Sequence, residues 1–481
     1  METSLPTRIL NIGHNDTDSI HVQNRQGQRG VYATLSHCWG KFQPIKTLHA
    51  NYVKMLHNIA WTDLSRVFQD AIRVCRRLQI RYLWIDALCI VQDSKEDWER
   101  ESSRMCRYFE SAYVTISAAS SPDGSVPFLM ERDAKWRAQK FELICKDGTS
   151  IDVFARQDFG SSIANHVEDP GPLSSRAWVW QETLLSSRVL HYTMSELIWV
   201  CKSSMCAEDG IIPRGIYFLS LPQQLKRCEN EPEPYNGWHN LISTYSSKKL
   251  TYESDRLPAL SGVATKVQSL SQSEYLAGLW LNNLPLDLCW MVDYQLSDDL
   301  STPAQLIPAQ YIAPSWAWSS VRGAIWSPDN DPNYPFIPLA QVEEAECSIS
   351  GFNPYGQVDH GHLVLKGLVS WMIVRCSDPD NCWTYTIGDD PETMEPMTAD
   401  CKLVEFNGSV RRATENDNIS PFSTRLPCML LGHNNDEDSN ECFYVMVLGK
   451  LDGDKYCRLG MAMLQDNDWF LETVEEKIYV L

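Results

Sequence analysis

At 481 residues the chain exceeds one ordinary core, so about two to three domains are expected. Hydrophobic residues at 43% and charged residues at 22% exclude wholesale disorder. The formal charge of −20 opposes a phosphate backbone, which excludes nucleic acid as an expected partner.

The first residues carry no basic leader followed by an apolar core, and no apolar run reaches the roughly 18 residues a spanning helix needs. The expectation is a cytoplasmic protein with no membrane partner, its 16 cysteines held as thiols. Between Val31 and Ala119 the pattern alternates strand, helix, strand, helix, strand. Val31–Ser36 is β-prone and ends in the polar turn His37-Cys38-Trp39-Gly40. Leu64, Phe68, Ala71, Cys75 and Leu78 recur at helical spacing, which predicts an amphipathic helix over Thr62–Leu78. Arg81–Ile90 is nearly continuous in apolar residues, as a doubly buried strand would be. Ser94 with Asp97 three residues on predicts a capped helix carrying Trp98, Met105, Phe109 and Ala112 on one side. Tyr113–Ala118 is the next strand.

Such alternation predicts a parallel sheet flanked by helices, with ligands gathering at the carboxyl ends of its strands. Those ends are Ser36–Gly40, Asp86 to Asp93, and Ser117–Ser121. Residues 131–172 follow as an inserted hairpin region, turning at Asp147-Gly148. A helix after Ser175 places Trp178, Glu182 and Leu185 on one face, and Arg188–His191 and Leu197–Cys201 read as strands. Residues 207–235 are loop-like, and helical stretches are expected at Trp238–Ser246 and Leu257–Gln272. Beyond about 300, β-prone runs (His362–Val369, Trp371–Cys376, Cys442–Gly449, Cys457–Met463) alternate with turns, and Pro379–Asp400 and Glu415–Ser420 read as acidic loops. Cys201, Cys206 and His191 are the nearest approach to a metal cluster, but no second close pair completes it, so no metal is expected.

The candidate site is built from these ends. A carboxylate at Glu182, between apolar side chains, sits either in water or in a dry pocket with a raised pKa. It could stabilise an oxocarbenium-like state, and the Trp178 face could stack on a cationic ring. The alternative is that Glu182 pairs with Arg176 or Arg188 to fix its helix. Ser36, His37, Trp39 and Gly40 could bind phosphate or ribose through a hydroxyl and free N–H groups, or simply form a packed turn with an unusual φ at Gly40. Asp86 and Asp93 could accept ribose hydroxyls, or orient and cap neighbouring elements. A thiol–imidazole pair of Cys38 and His37 is disfavoured, because adjacent strand residues face opposite ways.

Four ordered blocks now resemble the fungal heterokaryon-incompatibility (HET) domain: Leu35-Ser36-His37-Cys38-Trp39-Gly40; Leu83-Trp84-Ile85-Asp86-Ala87-Leu88-Cys89-Ile90 with Gln92-Asp93; Met105, Tyr108 or Phe109, Ala112 and Thr115; and Arg176-Ala177-Trp178-Val179-Trp180-Gln181-Glu182. Asp255–Gly262, Tyr275–Trp280 and Ala313–Trp318 are similar to the downstream region of full-length members. His37 departs from the family's usual Tyr, and Ala177 and Val179 from its usual Gly and Thr. The resemblance implies residues 1–29 as a lead-in, 30–206 as the HET domain, 207–300 as a mainly helical linker region and 301–481 as a β-rich C-terminal domain. The fold class expected is an α/β N-terminal domain with a Toll/interleukin-receptor (TIR)-like parallel sheet, followed by an α+β, β-rich region.

By the same analogy, Trp178-x-x-x-Glu182 resembles an element of TIR-fold NAD-cleaving enzymes, and Ser36 with His37 a nucleotide-side element. This implies a protein of fungal non-self recognition and programmed cell death. Glu182 would be the catalytic carboxylate, NAD(P) the substrate, and no cofactor would be required. Self-association through the HET domain and an unidentified protein partner are the implied contacts. The alternatives are a non-catalytic signalling module and a biosynthetic enzyme that uses the same cleft on a small metabolite.

Overall fold

The computed structural model describes residues 2–41, 45–155, 171–208, 210, 234–294, 307–381, 384–389, 394–435 and 441–481. The chain divides into two compact units, Met1–Lys226 and Arg227–Leu481.

In the first unit the sheet strands are β1 (Arg8–Asn11), β2 (His21–Asn24), β3 (Tyr32–Ser36), β4 (Tyr82–Trp84), β5 (Val114–Ser117), β8 (Arg188–Tyr192), β9 (Leu197–Cys201) and β10 (Met205–Ala207). A separate hairpin, β6 (Gln139–Ile144) and β7 (Ser150–Ala155), turns at Gly148 as expected. The sheet runs β10-β9-β8-β5-β3-β4-β1-β2. Its four central strands, β8, β5, β3 and β4, are parallel, with Ser36 opposite Ser117 and Thr34 opposite Trp84. Both flanks are antiparallel.

The sheet is therefore mixed, not parallel throughout. Short connections such as the Tyr192-to-Leu197 turn can only return a strand antiparallel, whereas parallel neighbours need a crossover. Residues 8–24, expected as a lead-in, pair into this sheet.

Alternate side chains of each central strand feed two cores. On one face Ala33, Leu35, Leu83, Val114 and Ile116 pack with Val67, Phe68, Ala71 and Ile72 of helix α2 (Arg66–Arg77), which follows the short α1 (Tyr52–His57). On the other, Tyr32 and Trp84 meet Met105, Tyr108 and Phe109 of α4 (Lys95–Ser111). Helix α2 starts at Arg66, later than the apolar spacing implied, because the Ser65 side chain accepts from Phe68 N and fixes the first turn there. The expected strand over Arg81–Ile90 stops at Trp84, and a single helical turn, α3 (Asp86–Cys89), follows. Asp86 starts that turn by accepting from Ala87 N at 2.7 Å, a local signal that a run of apolar residues conceals.

Ser94 caps α4 as expected, accepting from Asp97 N. The Asp97 carboxylate, however, does not close a capping box: it accepts from Val91 N and pairs with Arg8 and Arg100.

The second unit holds helices α6 (Tyr235–Ser246) and α7 (Ser261–Ser271), while α5 (Ala177–Leu185) belongs to the first. Its strands include β11 (Gln341–Ile349), β12 (Val358–Cys376), β13 (Tyr385–Gly388), β14 (Glu395–Ala399), β15 (Leu403–Phe406), β16 (Ser409–Arg412), β17 (Phe422–Asn435), β18 (Glu441–Lys450), β19 (Lys455–Leu464) and β20 (Glu475–Val480). Pairings β12-β13-β14-β19-β18-β17 return to β12, so six antiparallel strands close into a barrel. Its interior is filled at period two by Met372, Val374, Ile387, Met397, Leu426, Cys428, Val445, Val447 and Leu459. Two expectations change here. The runs at 362–369 and 371–376 are one long strand, and the expected acidic loop over Pro379–Asp400 contains β13 and β14. Tyr385, Ile387, Met397 and Ala399 point inward, a strand pattern hidden between Asp and Glu turns.

The downstream sequence blocks meet in this unit. Trp238 and Trp318 both donate their indole N–H to Gly278 O. A Cβ on Gly278, whose φ is +107°, would lie 2.6 Å from Trp318 Nε1. Ser319 Oγ donates to Ala277 O, and the rings of Trp238, Tyr275 and Trp280 pack edge to face. These tryptophans fill a core.

Candidate functional site

The site forms where β3, β4 and β5 end on the same edge, because they are parallel and in register. Ser36 is the last residue of β3, and Asp86 follows β4 after one residue. Helix α5 delivers Glu182 to this edge. Its C-terminal end is tied to the sheet by a buried hydroxyl chain: Thr34 Oγ1 meets Thr115 Oγ1 at 2.7 Å, Thr115 Oγ1 meets Ser186 Oγ at 2.6 Å, and Ser186 Oγ donates to Glu182 O at 2.6 Å.

Glu182 is 9% exposed, and burial pushes its carboxyl up to about 7. The Ser36 hydroxyl opposes that rise, the Asp86 charge adds to it, and Arg176 opposes it more weakly. The Ser36 Oγ makes no hydrogen bond of good geometry, so its approach to Glu182 is a loose one. Neither Arg176 nor Arg188 forms an ion pair with Glu182. Arg176 Nη1 instead donates to His37 O at 3.0 Å, and Arg188 Nη1 to Tyr113 O.

His37 turns to the opposite face from Ser36, as successive extended residues do. Its ring is buried edge-on to Phe68, with Nδ1 3.8 Å from Asp86 Oδ1 and Nε2 without a partner. Burial holds the imidazole below its usual pKa, although Asp86 works against this. Asp86 gathers the turn: its carboxylate accepts from Trp39 Nε1 at 2.9 Å and from Ala87 N at 2.7 Å. Gly40 has φ +58°, and a Cβ there would stand 2.3 Å from Asp123 Cβ and 2.7 Å from Pro122 O. Cys38 packs with Leu173 and Val179, away from His37, and burial raises its thiol pKa.

Ser36, His37, Trp39, Gly40, Asp86 and Glu182 thus come together around one sheet edge. Trp178 lies one turn before Glu182, but its ring packs edge-on against Trp98 at 6.4 Å. Asp93 is engaged elsewhere: it accepts from His49 N and faces His49 Nδ1, both at 2.9 Å, on an exposed loop. Sequence spacing did not single out Arg176 as the clamp on His37, nor the Thr34–Thr115–Ser186 chain. Single hydroxyls on buried strands carry no pattern of their own. Among the described residues Cys201, Cys206 and His191 form no metal-binding group.

A carboxyl near neutrality beside a hydroxyl and a second carboxylate can act in proton transfer or stabilise a developing cation. Residues 32–182 match the family model described as heterokaryon incompatibility protein (HET). No curated protein and no solved structure shows significant similarity to the chain.

Proposed function

From the premise that this chain carries a HET domain at residues 32–182, we propose that it acts in fungal non-self recognition and triggers programmed cell death by hydrolysing NAD(P). Glu182 is the catalytic carboxylate of this reading. The observation that carries it is the placement of one buried, unpaired carboxyl beside Ser36 and Asp86 at the carboxyl edge of parallel strands.

The bond between ribose C1′ and the nicotinamide nitrogen breaks, and its electron pair neutralises the pyridinium ring. The oxocarbenium ion left on the ribose is stabilised by the Glu182 carboxylate and captured by water, which releases one proton. A cationic ring entering the site favours the ionised form of Glu182, so substrate supplies the charge that burial withholds. Ser36 would orient the ribose, while Asp86 holds the turn through Trp39.

Purified protein incubated with NAD should release nicotinamide, and Glu182→Ala should abolish the release and the toxicity in cells. Equal turnover and equal toxicity of the two proteins would refute this mechanism.

A second reading, a non-catalytic interaction module, is favoured by the β6–β7 hairpin. Phe141, Leu143, Ile151 and Val153 form one exposed apolar face there. Toxicity that survives Glu182→Ala and disappears with Phe141→Ser and Leu143→Ser would support it.

A further inference from the structure

We infer that the end of the C-terminal barrel is a binding site for a small aromatic anion, of the class of nucleoside monophosphates. It is separate from the Glu182 site and independent of the reading given to it. Here a cleft of about 770 Å³ opens between the β15–β16 hairpin, the Lys450–Lys455 turn and the outer faces of β12 and β17. Gly449 makes the cleft possible, since a Cβ there would stand 2.2 Å from Val410 O and drive the hairpin off the barrel.

The lining has two chemistries. Trp371 and Phe406 are large rings left 44% and 59% exposed, although the same unit buries five other tryptophans completely. Arg411 lies 5.6 Å from the Phe406 ring centre and is held flat by two bonds to Asp417, at 2.9 and 2.5 Å. This pair spends the Arg411 charge on fixing the aromatic wall. The charge available to a ligand comes from Arg425, Lys450 and Lys455. Arg425 donates from Nε to Trp371 O at 2.9 Å, and its guanidinium pairs with Asp389 at 3.6 Å.

Among the described residues Lys450 and Lys455 have no carboxylate within 4 Å, and Asp452 is the one acidic side chain on the wall. On a chain of charge −20, such a concentration of cations draws an anion to a place its surroundings would repel. Rings flanked by cations suit a planar base bearing a phosphate, through stacking and charge-assisted hydrogen bonds.

Equilibrium dialysis of the full chain with labelled AMP tests the assignment. Saturable binding is expected, with adenosine and inorganic phosphate each at least tenfold weaker, and with added salt weakening AMP and phosphate but not the uncharged adenosine. Trp371→Ala and Arg425→Gln should each lower AMP affinity tenfold or more, while Glu182→Ala leaves it unchanged. If Trp371→Ala unfolds, as circular dichroism would show, Arg425→Gln and Lys450→Gln at exposed positions carry the test. Absence of AMP binding, binding lost in Glu182→Ala but retained in the cleft variants, or displacement by poly-glutamate alone would overturn it.

Discussion

Glu182 couples the stability of the fold to a single proton, the one whose loss its proposed chemistry requires. Its carboxyl titrates near 7 in the folded protein against an ordinary 4.5, so the native state favours the protonated form. Stability from this group is fully present below the unfolded value and is lost as pH rises towards the folded one. At pH 8 the cost is on the order of 3 kcal/mol, from about 1.4 kcal/mol per pKa unit. Glu182→Gln should therefore raise Tm at pH 8 and leave it nearly unchanged at pH 4, as calorimetry at both values will show. An equal shift at both would mean that the carboxyl is not held protonated by burial. On the proposed NAD(P) chemistry the ionised form is needed, so nicotinamide release should fall as pH drops through about 7. Activity and stability then move in opposite directions over the same window, which a purely structural glutamate would not produce.

At the scale of elements, the edge is made by a turn and a tether. Gly40 sits at φ +58° against Pro122 and Asp123, so Gly40→Ala meets both an unfavourable backbone and a direct clash. A loss of about 2–3 kcal/mol is expected, read as a lower denaturant midpoint with unchanged m value. Ser186→Ala removes the link between Thr115 and the Glu182 carbonyl, leaving two buried polar groups short of a partner. It should cost about 1–2 kcal/mol and loosen helix α5, with faster amide exchange over Ala177–Leu185. The turn was legible in the sequence because glycine after a strand has few other uses. The tether was not, because Thr34 and Thr115 are ordinary strand residues far apart in the chain, and Ser186 at the end of α5 is an ordinary helix cap. The same reasoning separates the strands that were foreseen from those that were missed. Tyr32–Ser36 and Val114–Ser117 stand out as apolar, β-branched runs between turns. Residues Tyr82–Trp84 and Asp86–Cys89 share one apolar run, so the switch from strand to helix depends on the Asp86 side chain rather than on any change in hydrophobicity. Glu182 reached the edge by helical spacing, but Asp93, equally prominent in sequence, is drawn off by His49 through contacts no local pattern encodes.

The two units each close a core from their own residues: Ala33, Leu83 and Val114 with α2 in the first, and the barrel interior in the second. The second unit adds a buried charge cluster. Arg458 is fully buried and reaches Asp400, Leu288 O and Trp290 O, with its guanidinium over the Trp290 ring, while Arg412 joins Asp400 to Ser315 O and Ser320 Oγ. Two guanidinium groups thus depend on one carboxylate, and the carbonyls use the remaining donors. Removing Asp400 would leave both cations buried and uncompensated, a loss of about 3–5 kcal/mol. Because the cluster binds the strands β14, β16 and β19 to the loops at Leu288–Trp290 and Ser315–Ser320, its failure should spread through the barrel. Hydrogen exchange on the full-length Asp400→Ala variant should accelerate across Val358–Cys376, Glu441–Lys450 and Lys455–Leu464, while Tyr32–Ser36 and Val114–Ser117 keep their protection. Uniform acceleration in both units would show instead that the chain unfolds as one cooperative body. Confinement to the barrel would make Asp400→Ala a tool for the remaining question of function. If the proposed toxicity survives in it, the activity belongs to the unit that carries Glu182; if the toxicity is lost with the barrel, the C-terminal unit is part of the proposed trigger.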